Sequence, residues 1–408
     1  MDGIVSVVIL VVVAVVLGLV GWQVYRVVRA SQFEKLGWRY SRDPGEASVF
    51  GLNRPPFGLG RERRVRELVE GEVGGVPFRA MAYQSSAGRV PGFVVTVPLT
   101  RSLPPLVVGG PHALPEAALG ESVPAPNGLA ARADDPAWAE AALREAGSAL
   151  AGWAGASISV DGRALVGLGC DDRPEAVTAF VGRLGRVAAA LEGPALAGFT
   201  GPAVPPEMAL VHHPDWVYRS RDASMLDHVR AQRGGHDHEA VDVMFLSSDE
   251  VGFIALTHRW KTRRTVTESG PNGTTTTRTV EDSHSEDIFE ITLGFPFPTL
   301  SVNKAFDWGR GERVHFESDD FNRDFAVRCA DPRFASHVFH PRQMQYLQQA
   351  RPPGFVLEDG RIRIDWDARV ATIDWWLDFT RGFFGRVPGF VWKDLGVEPP
   401  RLMVRWLA

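Results

Sequence analysis

Cysteine is nearly absent: Cys170 and Cys329 are the only two in 408 residues. That excludes a disulfide-built domain and any zinc site with several thiolate ligands. No charge of one sign dominates either. The 44 Lys and Arg against 49 Asp and Glu leave a net charge of −5, so no basic field points to nucleic acid. P-loop, nucleophile-elbow, metalloprotease-helix, paired C-x-x-C and dinucleotide motifs are all missing. Gly58-Leu59-Gly60 and Gly167-Leu168-Gly169 both lack the third glycine of a phosphate-binding turn. What remains is a chain 45% hydrophobic and 23% charged, which excludes a disordered, collagen-like or polytopic membrane protein. Its length suits two or three domains.

One long apolar run exists. Ile4 to Trp22 holds Ser6 as its single polar side chain, and at ~1.5 Å per residue it matches the hydrocarbon thickness of a bilayer. Trp22 and Tyr25 stand where interfacial aromatics belong. A cleaved signal peptide fits less well: no basic n-region precedes the run, and Val28-Arg29-Ala30 is a poor cleavage site. The run is therefore expected to be a transmembrane helix over 4–22, followed by a juxtamembrane linker over 23–35. Arg26, Arg29 and Lys35 follow it and no Lys or Arg precedes it, so the bulk is expected on the cytoplasmic side of the cell membrane.

The rest reads twice. Trp38-Arg39-Tyr40 recurs as Trp216-Val217-Tyr218, and Val76-Pro77-Phe78-Arg79-Ala80 as Val251-Gly252-Phe253-Ile254-Ala255. Leu103 to Val108 matches Phe297 to Val302. Arg132 to Ala139 matches Arg328 to Ala335, Asp161-Gly162-Arg163 matches Asp359-Gly360-Arg361, and Gly185-Arg186-Val187 matches Gly385-Arg386-Val387. Six collinear matches imply two diverged copies, over 36–194 and 211–400, joined by a Gly/Pro/Ala-rich linker over 195–210. Each copy reads as α+β in the order β-β-β-β-α-β-β-α, with antiparallel hairpins and helices grouped on one face. Gly74-Gly75 signals a turn that sets Glu70 opposite Arg79. Asp135-Pro136 and Asp331-Pro332 are helix starts, and Pro341 is a break. The strands Ser157 to Val160 and Ala164 to Cys170 are expected on either side of a tight Asp-Gly turn. The last helices carry Val177, Phe180, Val181 and Leu184, or Ile373, Trp376, Leu377 and Phe384, at helical spacing.

The second copy contains an insertion, and 253–292 reads as a protruding hairpin. If Asn272-Gly273 is its two-residue turn, Arg264 faces Glu281, Arg263 faces Asp282, Arg259 faces Glu286, His258 faces Asp287, Leu256 faces Phe289 and Ile254 faces Ile291. The outer part is polar on both faces, so it forms an arm rather than core. Trp260, Arg263 and Arg264 are its candidate partner-binding residues. Asn272-Gly273-Thr274 fits a glycan acceptor, which the cytoplasmic side excludes.

Other chemistry is sparse. His236 and His238 lie two apart on an extended chain, which would put both rings on one side. With Asp237 and His228, and with His212-His213 nearby in sequence, they are the candidate metal ligands. The alternative is a solvated loop. Arg61, Arg63, Arg64 and Arg66 form a basic cluster that could meet anionic lipid or lie on a solvated strand edge. The aromatic tail holds Trp375-Trp376, Phe379, Phe383-Phe384, Phe390 and Trp392. It reads as core, with Trp375 or Trp392 free to cap a partner.

The Val-rich first helix, the W-x-Y opening, Pro56-Phe57-Gly58 with its Arg cluster, and Phe321-Asn322-Arg323-Asp324-Phe325 through Asp331-Pro332-Arg333-Phe334-Ala335 resemble a class of single-pass membrane proteins of high-GC actinobacteria. The resemblance spans most of the chain and implies a membrane-tethered lineage; it identifies no activity and points to no particular catalytic residues. The expectation is a non-enzymatic interaction or scaffold protein that needs no cofactor, binds the bilayer through 4–22 and meets a protein partner. The alternative is a membrane-bound hydrolase or metal-dependent enzyme built on His228, His236, Asp237 and His238. A further alternative is an exported envelope protein, should the orientation be reversed.

Overall fold

The computed structural model describes residues 27–400 and 402, apart from 111–119, 154, 206, 211, 270–274, 305–311 and 365–369. The expected span over 4–22 lies outside the described residues. Among those described, no helix is long and apolar enough to cross a membrane. The chain divides into two compact α+β units, Met1–His212 and His213–Ala408, with antiparallel sheets of eight and nine strands.

Unit 1 opens with a helix over residues 27–34 (α1). It continues β1 (Arg39–Arg42), β2 (Arg64–Val73), β3 (Val76–Ser85), β4 (Gly88–Arg89), β5 (Phe93–Gly109), β6 (Glu121–Pro124), β7 (Ala130–Ala133), α2 (Pro136–Ala146), β8 (Ser157–Cys170) and α3 (Pro174–Leu191). The turn between β2 and β3 is Gly74-Gly75, with φ of 57° and 84°, a pair of left-handed conformations that glycine adopts without strain. Glu70 faces Arg79, as read from the sequence, and Arg39 flanks it on the other side. The helices cover one face. Phe180 and Leu184 of α3 sit over Gly167, where a Cβ would come within 2.5 Å of the Phe180 ring. Asp135 caps α2, its Oδ1 accepting from the Trp138 N–H at 3.1 Å. The connection from β1 to β2 covers the opposite face, laying Val49, Leu52 and Phe57 over Val65, Leu68, Met81 and Tyr83.

Three expectations for this unit need correction. The strands expected on either side of Asp161-Gly162 are one strand, β8. Its register against β5 slips between Pro98 and Leu103, and Arg163 holds the Thr100 carbonyl at 2.7 Å across the slip. Asp-Gly here makes a bend within a long strand rather than a hairpin turn. Second, residues 195–210 do not run free. Gly201 N–H donates to Ser102 O at 3.0 Å, and Gly51 N–H to Glu207 O at 3.0 Å. Asn53 Oδ1 accepts from Ala209 N–H at 2.7 Å. The Gly/Pro content serves close backbone approach: a Cβ on Gly201 would lie 2.2 Å from Leu103 O. Third, Arg61 and Arg63 are buried, at 1% and 3% exposure, and Arg63 donates to Val49 O at 2.7 Å. Half of the expected lipid-facing or solvated cluster is therefore inside the unit; Arg64 and Arg66 are exposed.

Unit 2 comprises β9 (Val217–Arg221), β10 (His236–Leu246), β11 (Val251–Ser269), β12 (Thr275–Leu293), β13 (Leu300–Lys304), β14 (Arg313–Val314), α4 (Asp319–Asp324), β15 (Phe325–Cys329), α5 (Pro332–Val338), α6 (Pro341–Ala350), β16 (Phe355–Glu358), β17 (Arg361–Ile364), α7 (Val370–Phe384) and α8 (Gly389–Asp394). Asp331 caps α5, its Oδ1 accepting from Arg333 N–H at 2.9 Å. Pro341 opens α6 at the expected break. Trp376 and Trp392 are buried, so Trp392 belongs to the core with Phe295, Phe297 and Phe384 and caps no partner surface. Trp375 is half-buried, its ring parallel to that of Phe379.

The two sheets pair their strands in the same order. In unit 1, β1-β2-β3 continues into the first half of β5 and the second half of β8, while the second half of β5 lies between the first half of β8 and β7-β6. In unit 2 the path is β9-β10-β11-β12-β17, then β16-β13-β15-β14. Registers agree as well. Tyr40 faces Val69 and Tyr218 faces Met244. Leu106 lies between Val160 and Ala133, and Leu300 between Leu357 and Cys329. Trp38 meets Phe78 edge-on at 4.9 Å, and Trp216 meets Phe253 edge-on at 4.6 Å.

Candidate functional site: the hairpin arm and its base

β11 and β12 pair from Val251–Leu293 out to Ser269–Thr275. β10 accompanies β11 only as far as Lys261, and β17 touches β12 only at 290–292. Beyond that, Thr262–Ser269 and Thr275–Asp282 pair with each other alone among the described strands. Eight residues per strand at ~3.4 Å make an arm of about 27 Å.

The register differs by one from the expected one. Arg263 faces Glu281, Thr262 faces Asp282, Arg264 faces Val280, His258 faces Glu286, Leu256 faces Ile288 and Ile254 faces Glu290. Ser269 and Thr275 close the ladder, so residues 270–274 connect the strands where a two-residue Asn272-Gly273 turn was expected. An odd connection moves every partner by one and brings the other face of β12 behind each residue of β11. The charges still meet. Arg263 Nε lies 3.0 Å from Glu281 Oε1, and Arg264 Nε lies 2.5 Å from Asp282 Oδ2 on the diagonal. Arg263, then His236, holds the Glu281 carboxyl below its ordinary range. These pairs are exposed and screened by solvent, so they bias the register more than they add stability.

The expected metal ligands do not converge. Asp237 has φ of 53°, and the β10 register slips between His236 and Glu239. This bulge breaks the two-residue alternation and sends the two imidazoles to opposite faces. His236 lies opposite Lys261, its Nε2 3.4 Å from Glu281. His238 turns to the face of His258. Lys261 holds Asp237 at 3.1 Å and keeps its carboxyl below the ordinary range. His228 is exposed, and its backbone carbonyl accepts from Arg361. His212 is exposed; His213 stacks on Trp216 at 3.8 Å with Nε2 2.8 Å from Asp374. Among the described residues no group of three or more His, Cys, Asp or Glu is placed to hold a metal ion.

Three residues complete the base of the arm: His258 and Glu286, which the sequence placed in other cross-strand pairs, and His284, which it did not single out. Glu286 Oε1 lies 2.9 Å from His258 Nδ1 and accepts from Gln232 N–H at 3.2 Å. His258 Nε2 lies 2.9 Å from His238 Nδ1. The two rings are within 13° of coplanar with centroids 5.2 Å apart, so they meet edge to edge. Hydrogen-bond logic then sets the tautomers. A carboxylate only accepts, so His258 donates from Nδ1. A neutral His258 then accepts at Nε2, so His238 donates from Nδ1. A neutral His238 is left with its lone pair on Nε2. Beside this relay, Trp260 lies parallel between His258, at 4.7 Å, and His284, at 5.2 Å. Thr262 Oγ1 lies 2.7 Å from His284 Nε2. His258 is fully buried, Trp260 half-buried. An open cavity of about 380 Å³ alongside is lined by Glu286, Glu290, Arg230, Arg363, Asn303 and Phe355, among others.

In unit 1, Tyr83 and Arg63 occupy the matching places, 175 positions earlier in the chain. Tyr83 packs edge-on against Phe57 at 4.8 Å, so the relay is particular to unit 2. In histidine-15N-labelled protein at neutral pH, His238 and His258 are expected as Nδ1–H tautomers in long-range proton–nitrogen spectra. Glu286→Leu removes the acceptor and should return His258 to the Nε2–H form. An Nε2–H on His258 in the native chain would reverse the assignment. No family model matches this chain, and neither does any curated protein or solved structure.

Proposed function

We propose that the chain is a membrane-tethered, non-enzymatic interaction protein of the actinobacterial single-pass type that its sequence resembles. In this reading residues 4–22 hold two diverged copies of one module at the cytoplasmic face of the cell membrane, and the second copy presents the arm to a protein partner. Tethering raises the local concentration of the arm near membrane-borne partners. The observation that carries the reading is the arm: 19-residue strands extend past their neighbours in the sheet, braced by cross-strand ion pairs and footed on a stacked Trp and His row. An isolated hairpin is marginal in water, and this one has its own bracing. The shared strand order and the paired Trp–Phe contacts support common descent of the two units.

The test replaces residues 262–282 with a two-residue Asn-Gly turn and compares the chains in cells, with a photo-crosslinking side chain at Trp260. The expected result is one crosslinked product of defined mass in the native chain. It should vanish on excision and weaken at least several-fold with Arg263→Glu plus Arg264→Glu. An unchanged product, or none, sinks the proposal. An alkaline phosphatase fused at the C-terminus should be inactive; activity would place the bulk outside.

A further inference from the structure

Residues 23–35 read as a linker in the sequence, yet α1 is built into unit 1. Arg29 is 7% exposed. Its Nη2 lies 2.9 Å from Asp172 and its Nε 3.4 Å from Glu67, while its guanidinium stands over the rings of Phe33 and Phe93 at 5.0 and 5.6 Å. Phe33 is fully buried and lies parallel to Trp38 and Tyr40. A charge clamp and an aromatic stack therefore fix α1 to the sheet. The free side of this segment mixes apolar and polar residues, with Val27, Val28 and Leu36 exposed alongside Gln32, Glu34 and Lys35. Five large hydrophobic residues are exposed among those described; Val27 and Val28 stand in α1, and Leu36 in the turn directly after it. The other two, Val217 and Phe390, are in unit 2.

We infer that α1 and the turn after it form a bracket that seats unit 1 against the lipid headgroups, with Val27, Val28 and Leu36 as the lipid contacts. This rests on the membrane reading of residues 4–22. Trp22 ends the apolar run five residues before Val27. Fully extended, five residues reach at most about 17 Å; as helix they rise about 8 Å. The headgroup layer on each side of a bilayer is roughly 6 Å deep. Val27 therefore cannot stand far from lipid, and exposed apolar side chains favour the short distance. A floppy tether would let unit 1 turn freely. The Arg29 clamp, to two carboxylates and two rings, fixes α1 on unit 1, so the side of unit 1 that carries α1 is the one held near the bilayer.

Full-length protein with Cys170→Ala and Cys329→Ala is reconstituted in phosphatidylcholine/phosphatidylglycerol vesicles. Spin labels are placed singly at Val28→Cys and Leu36→Cys, with Val217→Cys and Phe390→Cys as exposed apolar controls. Power saturation should show positions 28 and 36 at least several-fold less accessible to a soluble nickel chelate than position 390, and more accessible to oxygen. Arg29→Gln releases the clamp, so position 36 should lose protection while position 28, nearer the span, keeps it. Equal accessibility at 28, 36 and 390 in a chain that survives alkaline carbonate washing overturns the bracket and leaves the anchor standing. A chain that washes off the vesicles overturns the anchor and the bracket with it.

Discussion

Trp216→Ala should destabilise unit 2 by about 3–5 kcal/mol and lower its unfolding temperature by roughly 6–20 °C, with the unit 1 transition unmoved. Trp216 is 6% exposed. It stands edge-on to the buried ring of Phe253 and face-on to His213, so truncation opens a cavity that strand backbones cannot collapse to fill. Trp38→Ala should do the same to unit 1 alone. Trp38 abuts Phe78 and donates Nε1–H to Glu72 O at 3.3 Å, and its ring occupies the space above Gly71, where a Cβ would lie 2.4 Å from it. Calorimetry of the two variants checks this. Two transitions, each moved by one substitution, fit two separate cores. A single transition moved by both would mean that the units unfold together. A shift below about 2 °C would remove these rings from the account of either core.

These two tryptophans show why the fold was partly legible. They lie at the head of matched segments, and aromatic residues at matched places are retained through packing constraints that act locally. The β2–β3 hairpin was legible for the same kind of reason: Gly74-Gly75 is a local turn signal, and a two-residue turn determines its register. The arm shows where local signals end. Asn272-Gly273 pointed to a hairpin correctly, but the register depended on a five-residue connection, and each expected pair was displaced by one. The displacement hid the relay. Glu286 was assigned to Arg259 and His258 to Asp287, whereas in the structure Glu286 lies opposite His258 and Asp287 opposite Thr257. His236 and His238 part on one backbone torsion, the left-handed conformation of Asp237, which no spacing of residues reports. The buried arginines and the strapped segment over 195–210 were illegible because composition describes average exposure. Arg63 is buried by the β1–β2 connection folded over it, and the Gly/Pro-rich segment is held by Asn53 and Ser102 from far away in the chain.

Asp161 should make the stability of unit 1 depend on pH in a window that Asp161→Asn abolishes. The carboxyl is 4% exposed, and burial pushes it up to about 6 from an ordinary 3.8, although the backbone amides of Arg54 and Asn53 and the charges of Arg54 and Arg63 pull the other way. Its folded value is therefore above its unfolded one. The stability it supplies is fully present below about pH 4 and is lost as pH rises through about 6. A displacement of about two pH units corresponds to roughly 3 kcal/mol. Asparagine keeps one acceptor for the amides and does not ionise. The variant should match the native chain near pH 4 and exceed it by up to about 3 kcal/mol near pH 7.5, measured from urea midpoints of the unit 1 transition. The effect should reach the strap, because Asp161 Oδ2 accepts from Asn53 N–H at 2.5 Å and from Arg54 N–H at 2.8 Å, while the Asn53 side chain holds Ala209 and Pro205. Amide exchange at Ala209 should therefore slow on acidification in the native chain and stay level in the variant, after correction for intrinsic exchange. Parallel stability profiles for the two chains from pH 4 to about 7.5 would mean that the carboxyl ionises as freely inside unit 1 as in water.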